Sequence, residues 1–353
     1  MGISSLFVKF GMATTKDSST FEAIMSNIKA RIFSPIYILM GDESYFIDKI
    51  CDALANSVLP EDEREFNQFV VYGSDVTSAQ VADLARELPM MSQYKVIIVR
   101  EAQNIKNTED LEKYLDHPSP QTVLVYCYKN GTIDKRKKLV PRAKEVGVVF
   151  ESNKVKDQSL PTFVESFLKS KNIVIDSRIA TVIAESIGND LSRLSSELDK
   201  LCLALPEHDR RVTSELVEQT IGVSKEYNPF ELRNAIISMD AEKANRIINY
   251  FDKNPKSGGV YVLIPSLFNY FQNLMLVWYC PNKGNNKSIA QYMEFKSEWQ
   301  VKDYINGMKS FSAMKTMQII SKLCEIDEKS KGLNSSNTSS GDLMKELIFF
   351  ILH

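Results

Sequence analysis

The sequence predicts an α/β domain built on a parallel sheet with covering helices, then a small helical lid-like domain, then a larger all-helical one. Three observations carry that prediction. Over roughly the first 150 residues, short β-rich apolar runs alternate with amphipathic helical runs, the pattern of a parallel sheet flanked by helices. After about Lys156 the β pattern nearly disappears. At Asn228-Pro229 a second helical region opens, with Asn suited to the cap and Pro to the first helical position.

In chain order, residues 1–20 are expected to be a disordered or added extension, and since the polar stretch from Met12 reads as a natural start, residues 1–11 are the part expected to be added. Strands are expected at Ile36–Met40, Gln68–Tyr72, Lys95–Val99, Thr122–Tyr128 and Gly147–Phe150, nearly continuous in apolar character as strands buried on both faces are. Helices are expected between them at Ser44–Val58, Ser78–Leu88, Thr108–Leu115 and Asp134–Glu145. The second region reads as short helices at Leu160–Ser170, Ser177–Ile187, Leu191–Leu205 and Thr213–Ile221. These readings divide the chain into 21–156, 157–227 and 228–353.

The longest apolar segment, Val260 to Cys280, is interrupted by Pro265, Ser266, Asn269, Gln272 and Asn273. The last four are spaced as one helical stripe, so a deeply buried helix of a soluble domain is expected rather than a membrane span.

Composition is that of an ordinary globular protein: 353 residues, 44% hydrophobic and 25% charged. With 43 basic and 45 acidic residues the net charge is −2, so no global field favours unassisted binding of nucleic acid. The cysteines at 51, 127, 202, 280 and 324 never form C-x-x-C, which implies neither a disulfide framework nor a zinc knuckle. No signal-peptide core precedes residue 20, and Leu6 stands where a myristoylation motif requires Ser or Thr. A cytoplasmic protein is expected.

Chemistry is sparse. Met40-Gly41-Asp42-Glu43-Ser44 occupies the strand-to-helix turn where a phosphate loop belongs, but the second Gly and the Lys of that motif are missing. Asp42 and Glu43 would repel an anion there, and helix capping explains them more simply than a catalytic carboxylate pair. At the end of the third strand a nucleotide hydrolase places Asp-Glu; here Arg100 precedes Glu101, and a cation at that position opposes Mg²⁺. No metal, cofactor or catalytic residue is assigned. His117, His208 and His353 have no partners at ligand or triad spacing.

Lys135, Arg136, Lys137 and Lys138 form the one basic cluster, a candidate contact for a DNA backbone. Lacking interleaved aromatic residues, it reads more economically as a solvated helix face. Leu88, Pro89, Met90 and Met91 crowd large apolar residues into a short connection, and connections lie on the surface. Exposed there, they would form an anchor for a partner's pocket, with Met adapting its shape to what it meets; packing beneath the loop is the simpler alternative.

Four segments together resemble the delta-subunit family of the bacterial DNA polymerase III clamp loader. They are Pro35–Ile47, Leu88-Pro89-Met90-Met91-Ser92 with the strand from Tyr94, Gly188-Asn189-Asp190-Leu191-Ser192 with Glu197–Leu201, and Asn228-Pro229-Phe230-Glu231-Leu232. The resemblance implies an AAA+-like scaffold without a working ATP site, a lid, and a collar domain through which subunits assemble. It implies no catalysis by the isolated chain, which would be one subunit of a DNA-directed DNA polymerase holoenzyme. Its implied partners are the sliding clamp (beta subunit), ATP-hydrolysing and delta-prime-type subunits, and primed DNA within the complex, with no membrane. Leu191 stands where motor members carry an Arg, which fits delta. Two methionines occupy the clamp segment where the family often has aromatic residues. The competing readings are an ATP-hydrolysing AAA+ motor subunit and an unrelated α/β scaffold that binds another partner.

Overall fold

The computed structural model describes residues 20–134, 136–206, 209–254, 258–295, 299–333 and 338–353. Of the expected extension only Thr20 is among them, and Lys135 and His208 lie outside them. The chain forms two compact units, residues 1–154 and 155–353.

The first unit opens with a helix that the sequence reading did not identify, α1 (Phe21–Lys29), whose Thr20 side chain caps the Ala23 N–H and whose Ile24 and Ile28 are buried. Five strands follow: β1 (Ile36–Gly41), β2 (Gln68–Tyr72), β3 (Lys95–Arg100), β4 (Thr122–Lys129) and β5 (Val148–Ser152). They pair in parallel in the order β2-β3-β4-β1-β5, so every connection crosses over. Helices α2 (Ser44–Ser57), α3 (Arg64–Asn67), α4 (Ser78–Arg86), α5 (Glu109–Tyr114) and α6 (Leu139–Val146) make those crossovers. Alternate strand residues serve opposite faces: Ile36, Ile38 and Met40 join the cluster with α4, α5 and α6, while Tyr37 and Leu39 join the one with α1 and α2.

Burial on both faces holds for β1 and, except at the exposed Arg100, for β3, but not for β2. β2 is an edge strand whose single neighbour is β3, and it leaves Val70 and Tyr72 exposed. Helix α6 starts at Leu139, not at Asp134, because the Asp134 carboxylate accepts the Arg136 N–H and holds that stretch in a turn.

The second unit is helical: α7 (Leu160–Lys169), α8 (Ser177–Ile187), α9 (Leu191–Ala204), α10 (Ser214–Ile221), α11 (Pro229–Ile237), α12 (Ala241–Lys253), α13 (Val260–Trp278), α14 (Asn286–Tyr292), α15 (Trp299–Ser310), α16 (Ala313–Ser330) and α17 (Ser340–Leu352). A two-stranded parallel pair, β6 (Val174–Ile175) and β7 (Arg211–Val212), was too short to show as an apolar run. Asn228 caps α11 through the Glu231 N–H, and Pro229 takes its first position.

Helix α13 is long and apolar enough to cross a bilayer by length and composition. Its Leu263, Ile264, Leu267, Phe271 and Leu274 are buried in a core with α11, α12, α16 and α17. Three residues of its polar stripe meet the elements before residue 188. Asn269 donates to Asp157 (2.6 Å), Asn273 accepts from Gln158 (2.8 Å), and Ser266 donates to Glu185 (3.4 Å). The fourth, Gln272, is exposed, so it does not share that face. Arg233 of α11 forms an ion pair with the same Glu185 and lies 4.7 Å from the Phe230 ring centroid and 5.6 Å from that of Tyr270.

Candidate functional site

The turn between α4 and β3 is where the sequence places its apolar anchor. A capping box at Thr77 and Gln80 starts α4. The helix was expected to run to Leu88 but ends at Arg86, with Glu87 already extended, since a residue before Pro avoids helical geometry and Pro89 forces the exit early. Leu88 is therefore not a core contact of its helix. It is 73% exposed, Met90 64% and Met91 fully, while Pro89 is half-buried.

Apolar side chains on a mobile loop would cost much of their binding energy in ordering. This turn is held at both ends and in the middle. Thr122 donates to the carbonyl of Ala85 (2.9 Å) beneath the helix end, and the buried Lys95 ammonium pairs with Glu87 (2.7 Å) while lying 4.8 Å from the Phe69 ring centroid. Ser92 bonds the backbone of Tyr94 in both directions. At the centre the buried Asn67 accepts the Met90 N–H at 2.6 Å and donates to the Met90 carbonyl at 3.0 Å. Met91 sits in the left-handed region, φ +51°, which L-residues other than Asn and Asp seldom occupy. Sequence reasoning missed Asn67, because nothing local marks an amide whose partner lies 23 residues away.

The residues expected at a degenerate nucleotide position lie at the C-terminal ends of two strands that β4 separates, Gly41 ending β1 and Arg100 ending β3. Gly41 has φ +135°, and a Cβ there would stand 2.0 Å from the carbonyl oxygen of Ser152. The backbone of β5 thus fills the space beside the β1–α2 turn. Glu43 N–H donates to the Ser152 carbonyl (3.1 Å), and the Ser152 hydroxyl donates back to the Glu43 carbonyl (2.7 Å). Glu43 also caps α2 by accepting the Tyr45 N–H at 3.2 Å, and Asp42 is exposed.

Arg100 is exposed at the end of β3, and Glu101, with φ +51°, leads into the tight turn Ala102–Asn104. The buried Cys51 thiol lies below its ordinary pKa, first through its hydrogen bond with Cys127 and then through the positive field of Arg100, against the opposing effect of burial; the Cys127 thiol is pushed up. Among the described residues no group of His, Cys, Asp and Glu is placed to hold a metal ion. Titration of the purified chain with Mg-ATP is expected to give no saturable heat at concentrations up to about 1 mM. A micromolar site would remove this reading of the turn.

Of the basic cluster, the described residues 136–138 are all exposed. Arg136 is tied to Asp134 (2.7 Å), whose carboxyl it holds below the usual range, and exposed Lys137 and Lys138 lie in the turn before α6 rather than on its face.

Residues 37–153 match the family model described as DNA polymerase III, delta subunit, a span that contains both the exposed turn and the bonded Glu43–Ser152 pair. A Bacillus subtilis (strain 168) protein named DNA polymerase III subunit delta is 23% identical over 320 residues, 87% of this chain and 91% of that one. This chain is homologous to DNA polymerase III delta subunits. The solved structure of a Bacillus subtilis DNA clamp loader delta protein superposes with a TM-score of 0.58 at 22% identity, covering 94% of this chain and 99% of that one. The delta homologue therefore shares that structure's fold: a parallel five-stranded sheet with helices, followed by a helical C-terminal region.

Proposed function

We propose that this delta homologue binds the sliding clamp and helps hold the ring open for loading onto primed DNA, while ATP-hydrolysing and delta-prime-type subunits of a clamp loader supply the energy. The observation that carries the reading is the turn at Leu88–Met91, exposed in its side chains and fixed in its backbone. A protein that binds the open ring better than the closed one shifts that equilibrium by its differential affinity and by no more. No catalysis is required of the chain itself, and the role is cytoplasmic.

Under this reading residues 21–156 engage the clamp through Leu88, Pro89, Met90 and Met91, 157–227 form the lid, and 228–353 form the collar through which subunits assemble. The collar offers exposed Tyr261, Leu276, Tyr279, Met314, Met317 and Phe349 for such contacts. Lys137 and Lys138 are available to a DNA backbone inside the complex. A motor subunit is disfavoured by the missing Lys and second Gly of the phosphate loop, by Arg100, and by Leu191 at the position of a phosphate-sensing Arg.

The test is gel filtration of the full chain with the sliding clamp of its own organism at micromolar concentrations. Co-elution is expected. Separate elution of two folded proteins would remove the clamp-binding role.

A further inference from the structure

We infer that Asn67 is a positioning residue for the partner-binding turn, a clasp that sets the backbone of Met90 before any partner arrives; this rests on the clamp-binding reading above. Asn67 ends α3, on a segment that precedes the edge strand, and is 1% exposed. Its carboxamide is a side-chain copy of a peptide group. It accepts the Met90 N–H and donates to the Met90 carbonyl, as a neighbouring strand residue would, and it also donates to the Glu63 carbonyl at 3.1 Å.

The clasp is itself anchored. Arg64, on the same segment, donates to the carbonyls of Leu59 (3.3 Å) and Asn56 (2.9 Å) and to the Asn56 side chain (3.4 Å), which secures it to the end of α2. Hydrogen bonds therefore tie this short segment to α2 at Arg64 and to Met90 at Asn67. The next residue, Met91, has the uncommon left-handed backbone, which persists only where its surroundings over-determine it. With the Asn67 amide removed, the ends of the turn stay held by Thr122, Lys95 and Ser92, but the two bonds that set the backbone of Met90 at its centre are lost. The anchors would remain in the sequence, and the fraction of molecules presenting them correctly would fall.

That difference has a kinetic signature. Losing a contact side chain acts mostly on the dissociation rate. Lowering the competent fraction multiplies the apparent affinity by that fraction and appears in association. For Asn67→Ala we expect clamp association, followed by surface plasmon resonance on the full chain, to slow about tenfold, with the dissociation rate changed by less than about twofold. For Met90→Ala with Met91→Ala the dissociation rate should rise instead.

Hydrogen exchange on the unmutated chain gives a second measurement that needs no variant to fold: the Met90 amide should be protected in the free protein. If Asn67→Ala keeps the parent's rate constants while the Met90/Met91 variant loses affinity, the clasp is wrong and clamp binding through the turn stands. If neither variant changes binding, the reading of the turn fails and the clasp with it. Free exchange of the Met90 amide in the parent protein would also overturn the proposal.

Discussion

Replacing Met90 and Met91 together by alanine is expected to weaken binding to the sliding clamp by roughly 3 to 4 kcal/mol, two to three orders of magnitude in affinity. Each thioether side chain, once it enters an apolar pocket, contributes about 1.5 to 2 kcal/mol from burial, and both start mostly in water, Met90 at 64% and Met91 at 103% exposure. Little of that is lost to ordering, because the backbone carrying them is already bonded to Asn67, Ser92 and the ends of α4 and β3. The same exposure means that the substitution removes no core contact, so the melting temperature should be unchanged. Leu88→Ala should add a comparable loss, since Leu88 also stands clear of the core. Surface plasmon resonance with a parallel thermal melt makes the measurement, and parent-like affinity in a folded double variant would move the anchor elsewhere.

The second large effect belongs to stability. Arg233→Met is expected to cost the second unit about 3 to 5 kcal/mol, because it strands the Glu185 carboxylate in a site from which water is largely excluded. For a unit of this size that corresponds to a fall in Tm of roughly 8 to 15 °C. Burial works against the charge on Arg233, and the facing Glu185 outweighs it, so the guanidinium is held more firmly protonated than usual. The aromatic rings of Phe230 and Tyr270 lie within cation–π distance of it, so packing as well as charge would be lost. Removing both partners, Glu185→Leu with Arg233→Met, should recover most of the loss, since a buried pair is often replaceable by apolar groups though not divisible. Scanning calorimetry distinguishes these cases. A shift of less than about 3 °C for the single variant would mean that Glu185 finds water or another donor at little cost.

The sheet was legible because its strands are apolar runs bounded by turn residues, and periodicity alone places Ile36, Lys95 and Thr122 at strand starts. The edge position of β2 was not, since an apolar run does not state how many neighbours a strand has. Helix α1 was not legible although Ile24 and Ile28 are spaced for one face and Thr20 for a cap, because nine residues with two buried positions are too few for a periodicity to stand out. At the site, the exposure of Leu88, Met90 and Met91 could be read from a Pro-containing connection. What fixes them could not. Asn67 reaches Met90 over 23 residues and Ser152 reaches Glu43 over 109, and no local propensity encodes contacts at such separations. The amides of α13 are an intermediate case: their spacing was visible, but only the fold shows that Asn269 and Asn273 face Asp157 and Gln158.

The paired bonds between Glu43 and Ser152 bear on timing. In a nucleotide-driven subunit the loop after the first strand is loaded and emptied once per cycle, and its neighbours move in step. Here that loop is bonded to the chain's own fifth strand through Glu43 and Ser152. Under the proposed function this bonding supplies from within the chain what a bound nucleotide supplies elsewhere, so the sheet unit should keep one shape at any ratio of ATP to ADP and serve, in an assembly of cycling subunits, as a fixed frame for the others.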